Sequence, residues 1–279
     1  MTKGERNMVK AGHAWVMCMA GTFCLCGFSG VKAQEQPPHK ITAQEVAEML
    51  ADPAATITYL NASYRAYKDV GPNDDTNQEL RLNGAGFLNL PNDTSVLYRA
   101  FLPLYSTEFP FDDQGVGDAL VSAYWVPNKG NFILGYGGAL ITPTASEDYF
   151  GSGKWSAGPT LVVAEKVPGK FTIGGLLTHV WSFAGDEDRE EVSMTTIQPA
   201  ATFFLNKKGT SVSFMSETTY NWQADEDPWQ VPLTVGLGQI LPPIGKQFIG
   251  VALAGTYYFE KGDYAPEWDI RLTMSMVFP

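Results

Sequence analysis

The sequence has few charged residues, and it has no long apolar run outside its N-terminal region. Only 18% of the 279 residues are charged, against about 25% in an average soluble domain. The mean hydropathy is nevertheless only −0.11. No later segment has about 18 uninterrupted apolar residues, so no membrane-spanning helix is expected there. Low charge without long apolar runs is typical of a membrane β-barrel, in which only alternate residues meet lipid.

Basic residues are scarce, with 19 Lys and Arg against 30 Asp and Glu, which gives a net charge of −11. Nucleic acid is therefore not expected as a partner, because phosphate binding needs a basic surface. The acidic residues concentrate in long connections such as residues 186–191 and 225–227. None of these connections has the spacing and glycine of a calcium loop, so we expect solvated loops and no metal or cofactor.

Cysteine is confined to the N-terminal region. It occurs within or beside an apolar stretch at residues 14–28, which follows a basic segment and precedes a small-x-small sequence at residues 31–33. This pattern predicts a cleavable signal peptide over residues 1–33 and export through the Sec pathway. A mature chain starting near Gln34 would have no disulfide, and a closed hydrogen-bonded barrel in lipid would be stable without one. The three cysteines are Cys18, Cys24 and Cys26.

Residues 34–54 are predicted to form a linker and a short helix ahead of the barrel. Thr42 and Glu45 have the spacing of a capping box, and Val46 and Met49 lie on one side of a helix of about two turns. This segment could plug the lumen of a barrel or lie in the periplasm. A lead-in without a role is at least as compatible with the sequence.

From residue 55 to residue 279, the sequence predicts about twelve strands, because stretches of alternating polarity are separated by turn-rich segments. Tight connections alternate with longer ones, beginning with a long one, which places both chain ends on the short-turn, periplasmic side. The predicted fold is all-β, a transmembrane antiparallel up-and-down β-barrel. The predicted strands are residues 55–67, 78–90, 94–105, 118–126, 131–143, 156–167, 171–184, 192–205, 210–222, 229–241, 248–260 and 268–278.

The last predicted strand favours a barrel over a secreted soluble sandwich, which alternation alone does not exclude. Ile270, Leu272 and Met274 share one face with Phe278, and polar residues share the other. An aromatic residue such as Phe278 near the C-terminus resembles the signal that barrel-assembly machinery reads, although Pro279 follows it here.

Five tryptophans fall near loop-side strand ends, where the interfacial girdle of an outer-membrane barrel lies. We therefore expect outer-membrane lipid and lipopolysaccharide as partners of this surface, in a Gram-negative bacterium. The five are Trp155, Trp181, Trp222, Trp229 and Trp268.

Four segments, in order, resemble an outer-membrane family named for the MetA pathway of phenol degradation. They are residues 151–159, 179–189, 229–238 and 266–278. The resemblance runs from about residue 55 to the end of the chain. It implies an outer-membrane barrel with a role in passing hydrophobic or aromatic small molecules, and it carries no agreed catalytic or ligand-binding residues.

If the apolar face of each strand meets lipid, four arginines face the lumen on adjacent strands and form a basic stripe on one wall. Such a stripe could line a constriction and favour the passage of anions or of polarised carbonyl and phenolate groups. Alternatively the arginines are structural and pair with interior carboxylates, for which Asp269 and Glu217 are candidates. The four residues are Arg65, Arg81, Arg99 and Arg271.

The leading functional hypothesis is a porin-like transport barrel for the passive passage of small, hydrophobic or aromatic solutes. A structural or surface-interaction barrel with an occluded lumen is the alternative. An outer-membrane hydrolase is least favoured, because the mature chain has only His39 and His179, and neither lies in a lipase-like sequence. We expect a satisfied or lumenal histidine and no catalytic residue.

Overall fold

The computed structural model describes residues 41–92, 94–127 and 130–278. The predicted signal peptide and residues 34–40 of the predicted linker, including His39, lie outside these ranges. The same holds for residues 93, 128, 129 and 279.

In the described ranges one short α-helix, α1 (Ala43–Ala51), precedes fourteen β-strands, and a single 3₁₀ turn spans Asp148–Phe150. All neighbouring strands are antiparallel, and β1 pairs with β14, which closes the sheet on itself. The strands are β1 (Thr58–Val70), β2 (Asp75–Asn89), β3 (Ser95–Thr107), β4 (Asp113–Val116), β5 (Ala119–Val126), β6 (Phe132–Thr142), β7 (Lys154–Val167), β8 (Phe171–Gly185), β9 (Ser193–Phe204), β10 (Thr210–Met215), β11 (Thr218–Asn221), β12 (Trp229–Ile240), β13 (Phe248–Glu260) and β14 (Trp268–Phe278).

The fourteen strands fill twelve positions around the barrel. The strands β4 and β5 lie one after the other along β3, and β10 and β11 lie one after the other between β9 and β12. The architecture is therefore a closed antiparallel barrel of twelve strand positions. This confirms the fold class that the sequence predicts.

The strand β4 lies in a segment that the sequence predicts as a long connection before residue 118, and β10 with β11 was predicted as one strand, residues 210–222. Prolines explain why neither strand position is continuous in the structure. Pro103 of β3 lies opposite Gly117, whose N–H donates to the Pro103 carbonyl over 2.9 Å. Pro199 of β9 lies opposite Ser216, whose N–H donates to the Pro199 carbonyl over 3.0 Å. A proline has no N–H to return, so the ladder of hydrogen bonds is interrupted there.

The outer surface of the barrel is apolar, as the period-two pattern predicts. In β14, Leu272 is 56% exposed on the outer face, whereas Asp269 on the inner face is 1% exposed. A broad exposed apolar surface of this kind suits contact with lipid rather than with water.

All five predicted girdle tryptophans are exposed, and each lies at a strand end beside a long connection. Two of them bind to groups at the same level, since the Trp222 indole donates to Thr195 over 2.9 Å and the Trp268 indole donates to Asp69 over 2.8 Å. Phe278 lies on the outer face near the opposite end and is 39% exposed. The roles of these residues at a membrane interface remain predictions.

His179 does not face the lumen, so of the two alternatives that the sequence left open, a satisfied or a lumenal histidine, the structure does not show the lumenal one. It shares the outer face of β8 with Leu177 and Trp181, because alternate residues of a strand point to the same side. Its Nδ1 is 2.7 Å from the Thr195 hydroxyl, and its ring lies 4.1 Å from the Trp181 ring between centroids.

Replacing Leu253 by Arg should destabilise the barrel by about 2–4 kcal/mol, because Leu253 is 58% exposed on the outer face near the middle of β13. Phe259→Arg, on the same face near the loop end of that strand, is the control and should cost about 0–1 kcal/mol. Urea-dependent refolding into lipid vesicles measures both values. Equal costs would show that this face does not meet a membrane core.

Candidate functional site

The helix α1 lies inside the barrel at its short-turn end. Its N-terminus is closed by the predicted capping box, in which Thr42 accepts from the Glu45 N–H and the Glu45 carboxylate accepts from the Thr42 N–H. Val46 is 0% exposed and belongs to an apolar cluster with the inward-facing Phe248 and Val277. The apolar side of α1 therefore packs on the inner wall of β12, β13 and β14.

The segment after α1 continues across the lumen to the opposite wall. Asp52 forms a 2.6 Å ion pair with Lys166 of β7, and Ala54 belongs to an apolar cluster with Leu97 and Val162. Glu48 also accepts a hydrogen bond of 2.9 Å from the N–H of Gly169 in the β7–β8 turn. The described part of this segment, from residue 41 on, therefore packs against the inner wall at the short-turn end of the barrel.

The four predicted arginines lie on the inner faces of neighbouring strands, in the order β14, β1, β2 and β3. In the registers of β1 with its two neighbours, Arg65 lies directly opposite Arg271 on one side and Glu79 on the other. All four guanidinium groups line the same stretch of the lumen. The name arginine constriction is used below for Arg65, Arg81, Arg99 and Arg271 with their facing side chains.

Glu79 is the best-held carboxylate of the arginine constriction, and the sequence analysis missed it. It accepts from Arg81 Nε over 2.5 Å and from the Tyr67 hydroxyl over 2.5 Å. Arg65 donates to the same Tyr67 hydroxyl over 2.7 Å and lies 3.8 Å from Glu79. Glu79 is 1% exposed, so its charge is compensated by buried donors rather than by water.

The alternation that placed Arg81 inward also places Glu79 inward, two residues earlier on β2. That spacing was a sufficient signal for finding Glu79. Its hydrogen bond with Tyr67 has no such signal, because the pairing depends on the register between β1 and β2.

Asp269 is held mainly by hydroxyl groups. It accepts from Thr256 over 3.0 Å and from Tyr258 over 2.9 Å, while its distance to Arg65 Nε is 3.9 Å. Both hydroxyls lie on β13, which neighbours β14. The predicted pairing of an arginine with Asp269 is therefore present in the structure as a long contact.

Glu217 approaches the arginines from another part of the wall. It lies between β10 and β11, four barrel positions away from β1, and its carboxylate is 3.5 Å from Arg81 and 4.0 Å from Arg65. Gln198 of β9 donates to it over 3.1 Å. The side chain is 30% exposed, so this carboxylate spans open lumen.

Two of the arginines have no carboxylate within 4.0 Å among the described residues. Arg99 donates to the Ser122 hydroxyl over 3.1 Å and lies 5.6 Å from the centre of the Tyr124 ring. Arg271 has a buried Nε without a hydrogen-bond partner in the described part of the chain. Four guanidiniums face three carboxylates, Glu79, Asp269 and Glu217, so one positive charge is in excess.

The arginine constriction separates two cavities of the lumen. The larger, about 1040 Å³, reaches to the long-loop end, where Phe109 and Pro266 line it. The smaller, about 200 Å³, lies towards α1 and is lined by Tyr59 and Asn61. Seven residues line both cavities, namely Arg65, Arg81, Arg99, Phe101, Met215, Glu217 and Arg271.

The long connections are tied together at the mouth of the larger cavity. Arg189 donates to the carbonyl of Gly151 and forms a 3.2 Å ion pair with Asp148, which joins the β8–β9 connection to the β6–β7 connection. Hydrogen bonds from the Ser182 hydroxyl and the Lys154 ammonium lower the pKa of the Glu191 carboxyl. These contacts hold the rim in one arrangement around the opening.

Within the described ranges, no cluster of His, Cys, Asp and Glu side chains could hold a metal ion. No helix in these ranges is long and apolar enough to cross a membrane.

No protein-family model matches the chain, and no curated protein matches it significantly. Several solved structures share its fold, including the following two. An outer-membrane channel from Pseudomonas putida F1 superposes with a TM-score of 0.60 at 16% identity, over 82% of this chain and 98% of the channel. The NanC porin superposes with a TM-score of 0.53 at 11% identity, over 80% of this chain and 99% of the porin. At these identities the likeness is one of fold.

Glu79→Ala should lower the free energy of unfolding by about 3–5 kcal/mol, because it leaves Arg65 and Arg81 without their shared carboxylate. The control is Glu187→Ala, which removes an exposed carboxylate from the long β8–β9 connection and should change stability by at most about 0.5 kcal/mol. Urea titrations in lipid vesicles compare the two variants. Similar small losses in both would mean that Glu79 does not stabilise the arginine constriction.

Proposed function

We propose that the chain is a bacterial outer-membrane channel for the passive passage of small hydrophobic or aromatic solutes. The larger cavity is the observation that carries this proposal, because it leads from the long-loop end down to the arginine constriction. Aromatic rings on its wall suit apolar and aromatic solutes. They include Phe101, Tyr105, Phe109, Tyr124 and Phe150.

Two further points support this function. Both neighbours in fold are described as a channel or a porin. The segments that resemble the phenol-degradation family imply the same class of solute. In this proposal no residue is catalytic, and His179 lies on the outer face beside Thr195, away from the lumen.

The proposed location is the outer membrane, reached by Sec export with cleavage of the signal peptide. Phe278 would be read by the barrel-assembly machinery, and the five girdle tryptophans would lie against the lipid and lipopolysaccharide interface. The long connections would then face the outside, and α1 would lie at the periplasmic end.

The path of a solute would lead from the larger cavity through the arginine constriction to the smaller cavity, where α1 blocks the exit. Polar contacts of α1 and its following segment with the wall include the ion pair of Asp52 with Lys166 and the hydrogen bond of Glu48 with Gly169. In this mechanism α1 moves aside when solute passes.

A surface-interaction barrel with an occluded lumen is the second candidate, and the position of α1 favours it. A helix that fills the short-turn end at all times would prevent passage, and the long connections would then carry the function. Transport measurements separate the two candidates.

Liposomes that contain the protein should swell faster in ionised aromatic acids than in sugars of similar size, because the larger cavity offers aromatic walls and the arginine constriction below it has one positive charge in excess. Short fatty acids complete the panel, and protein-free liposomes correct for diffusion through lipid. Uptake of phenols is compared between wild-type and deletion strains. Swelling at the protein-free rate for every solute would favour the occluded barrel.

Cross-linking α1 to the wall should stop transport. A Cβ at Gly250 would lie 3.2 Å from the end of the Leu50 side chain, so Leu50→Cys with Gly250→Cys brings two thiols together. No native cysteine follows Cys26, so the pair is unique in the mature chain. After treatment with a short thiol cross-linker, liposome swelling should fall to the protein-free rate.

The controls for this experiment are the two single-cysteine variants and the untreated double variant, all of which should transport as the wild type does. Undiminished swelling after complete cross-linking would show that solute passes without movement of α1.

A further inference from the structure

Glu217 differs from the other carboxylates of the arginine constriction in how loosely it is held. Its shortest contact with an arginine is 3.5 Å, against 2.5 Å for Glu79, and its side chain is 30% exposed against 1%. Its contacts nevertheless include an electrostatic interaction with each of the four arginines. A partly exposed carboxylate among four guanidiniums occupies the position that a bound anion would take.

The backbone that carries Glu217 lacks the support of a regular strand. Residues 216 and 217 interrupt the strand between Met215 and Thr218, and prolines lie on both neighbouring strands at this level, Pro199 on β9 and Pro232 on β12. Neither proline can donate a ladder hydrogen bond. Glu217 therefore lies at a break in the hydrogen-bond ladder of the wall.

The arginines around Glu217 have more N–H groups than the Glu217 carboxylate accepts hydrogen bonds from. Each guanidinium has five N–H groups and binds a carboxylate through two parallel hydrogen bonds when the geometry allows. Arg99 and Arg271 have no carboxylate within 4.0 Å in the described ranges, and the buried Nε atoms of Arg65 and Arg271 have no partner there. The arginine constriction thus has unused donors for a further anion.

We infer that the arginine constriction is a binding site for organic monocarboxylates, and that Glu217 is its built-in occupant, which a solute carboxylate displaces. The inference rests on the proposed function, since the solute reaches the site through the larger cavity. It adds the chemical class of the ligand and the residue that sets its affinity.

The surroundings define this class of ligand. A solute with one carboxylate replaces the Glu217 carboxylate charge for charge, so the net charge of the arginine constriction stays the same. Aromatic rings lie beside two of the guanidiniums. The Phe101 ring centre is 5.0 Å from Arg81 Cζ, and the Tyr124 ring centre is 5.6 Å from Arg99 Cζ. The aromatic or aliphatic part of a ligand would therefore find apolar surface next to its carboxylate. Benzoate is the simplest probe with both features.

Binding of benzoate to the purified full-length protein in detergent, measured by isothermal titration calorimetry, tests the inference. Glu217→Gln should raise the affinity at least about tenfold, because it removes a tethered competitor from the arginines. Arg99→Gln and Arg271→Gln should each weaken binding at least about tenfold, because each removes a charged donor. Benzyl alcohol, which has the ring without the carboxylate, should not bind detectably.

Glu190→Gln is the matched control, because it removes the same charge from an exposed position on the wall of the larger cavity. It should leave the affinity for benzoate unchanged. An equal gain in both variants would overturn the inference in favour of a general charge effect. Unchanged or weaker binding in Glu217→Gln would show that Glu217 does not compete with the ligand, and equal binding of benzyl alcohol would exclude a carboxylate site.

Each variant is checked for folding by its resistance to unfolding in cold dodecyl sulfate. If Glu217→Gln fails this check, Glu217→Asp replaces it. Glu217→Asp keeps the negative charge but shortens the side chain by one methylene, so the carboxylate lies farther from the arginines. Benzoate should therefore still bind more tightly than to the wild type. Weaker binding would overturn the inference.

The binding experiment tests the carboxylate site and the swelling experiment tests the channel, so either proposal can be rejected while the other is kept. Benzoate binding without any swelling would reject the proposed channel and keep the carboxylate site. Swelling without benzoate binding would keep the channel and reject the site.

Discussion

Closure of the sheet is the constraint on which the rest of this structure depends. A chain that crosses lipid must satisfy every backbone N–H and carbonyl internally, and an antiparallel sheet does this only when its edge strands pair. The pairing of β1 with β14 completes the ring. The same pairing brings Arg65 opposite Arg271, so the step that satisfies the backbone also assembles the arginine constriction.

A narrow barrel must fill its interior with side chains or compensate the charges there, and this barrel does both at different levels along its axis. Near the short-turn end the inner wall is apolar, and α1 covers it with Val46 and its neighbours. Further up, the inner wall is charged, and carboxylates and hydroxyls compensate the arginines. Only Glu217 among these carboxylates is partly exposed, and it is the residue that we propose exchanges with a solute carboxylate.

Much of this arrangement was accessible from the sequence, because the side-chain period of a strand is a local property. Alternation predicted the barrel, the outward position of Leu272 and the inward position of the four arginines. The spacing of Thr42 and Glu45 predicted the capping box at the start of α1. The sequence left open whether His179 is a satisfied or a lumenal histidine, and the structure places it on the outer face of β8 with its Nδ1 beside the Thr195 hydroxyl.

The sequence by itself determined which residues share a face, how many strands cross and where the chain turns, because these follow from periodicity and turn chemistry. The tertiary structure alone decided which inward residues meet. The contact of Glu217 with Arg81 joins strands separated by 136 residues, and the packing of α1 against Val277 joins the two ends of the described chain. Such contacts depend on register and closure, which no local pattern encodes.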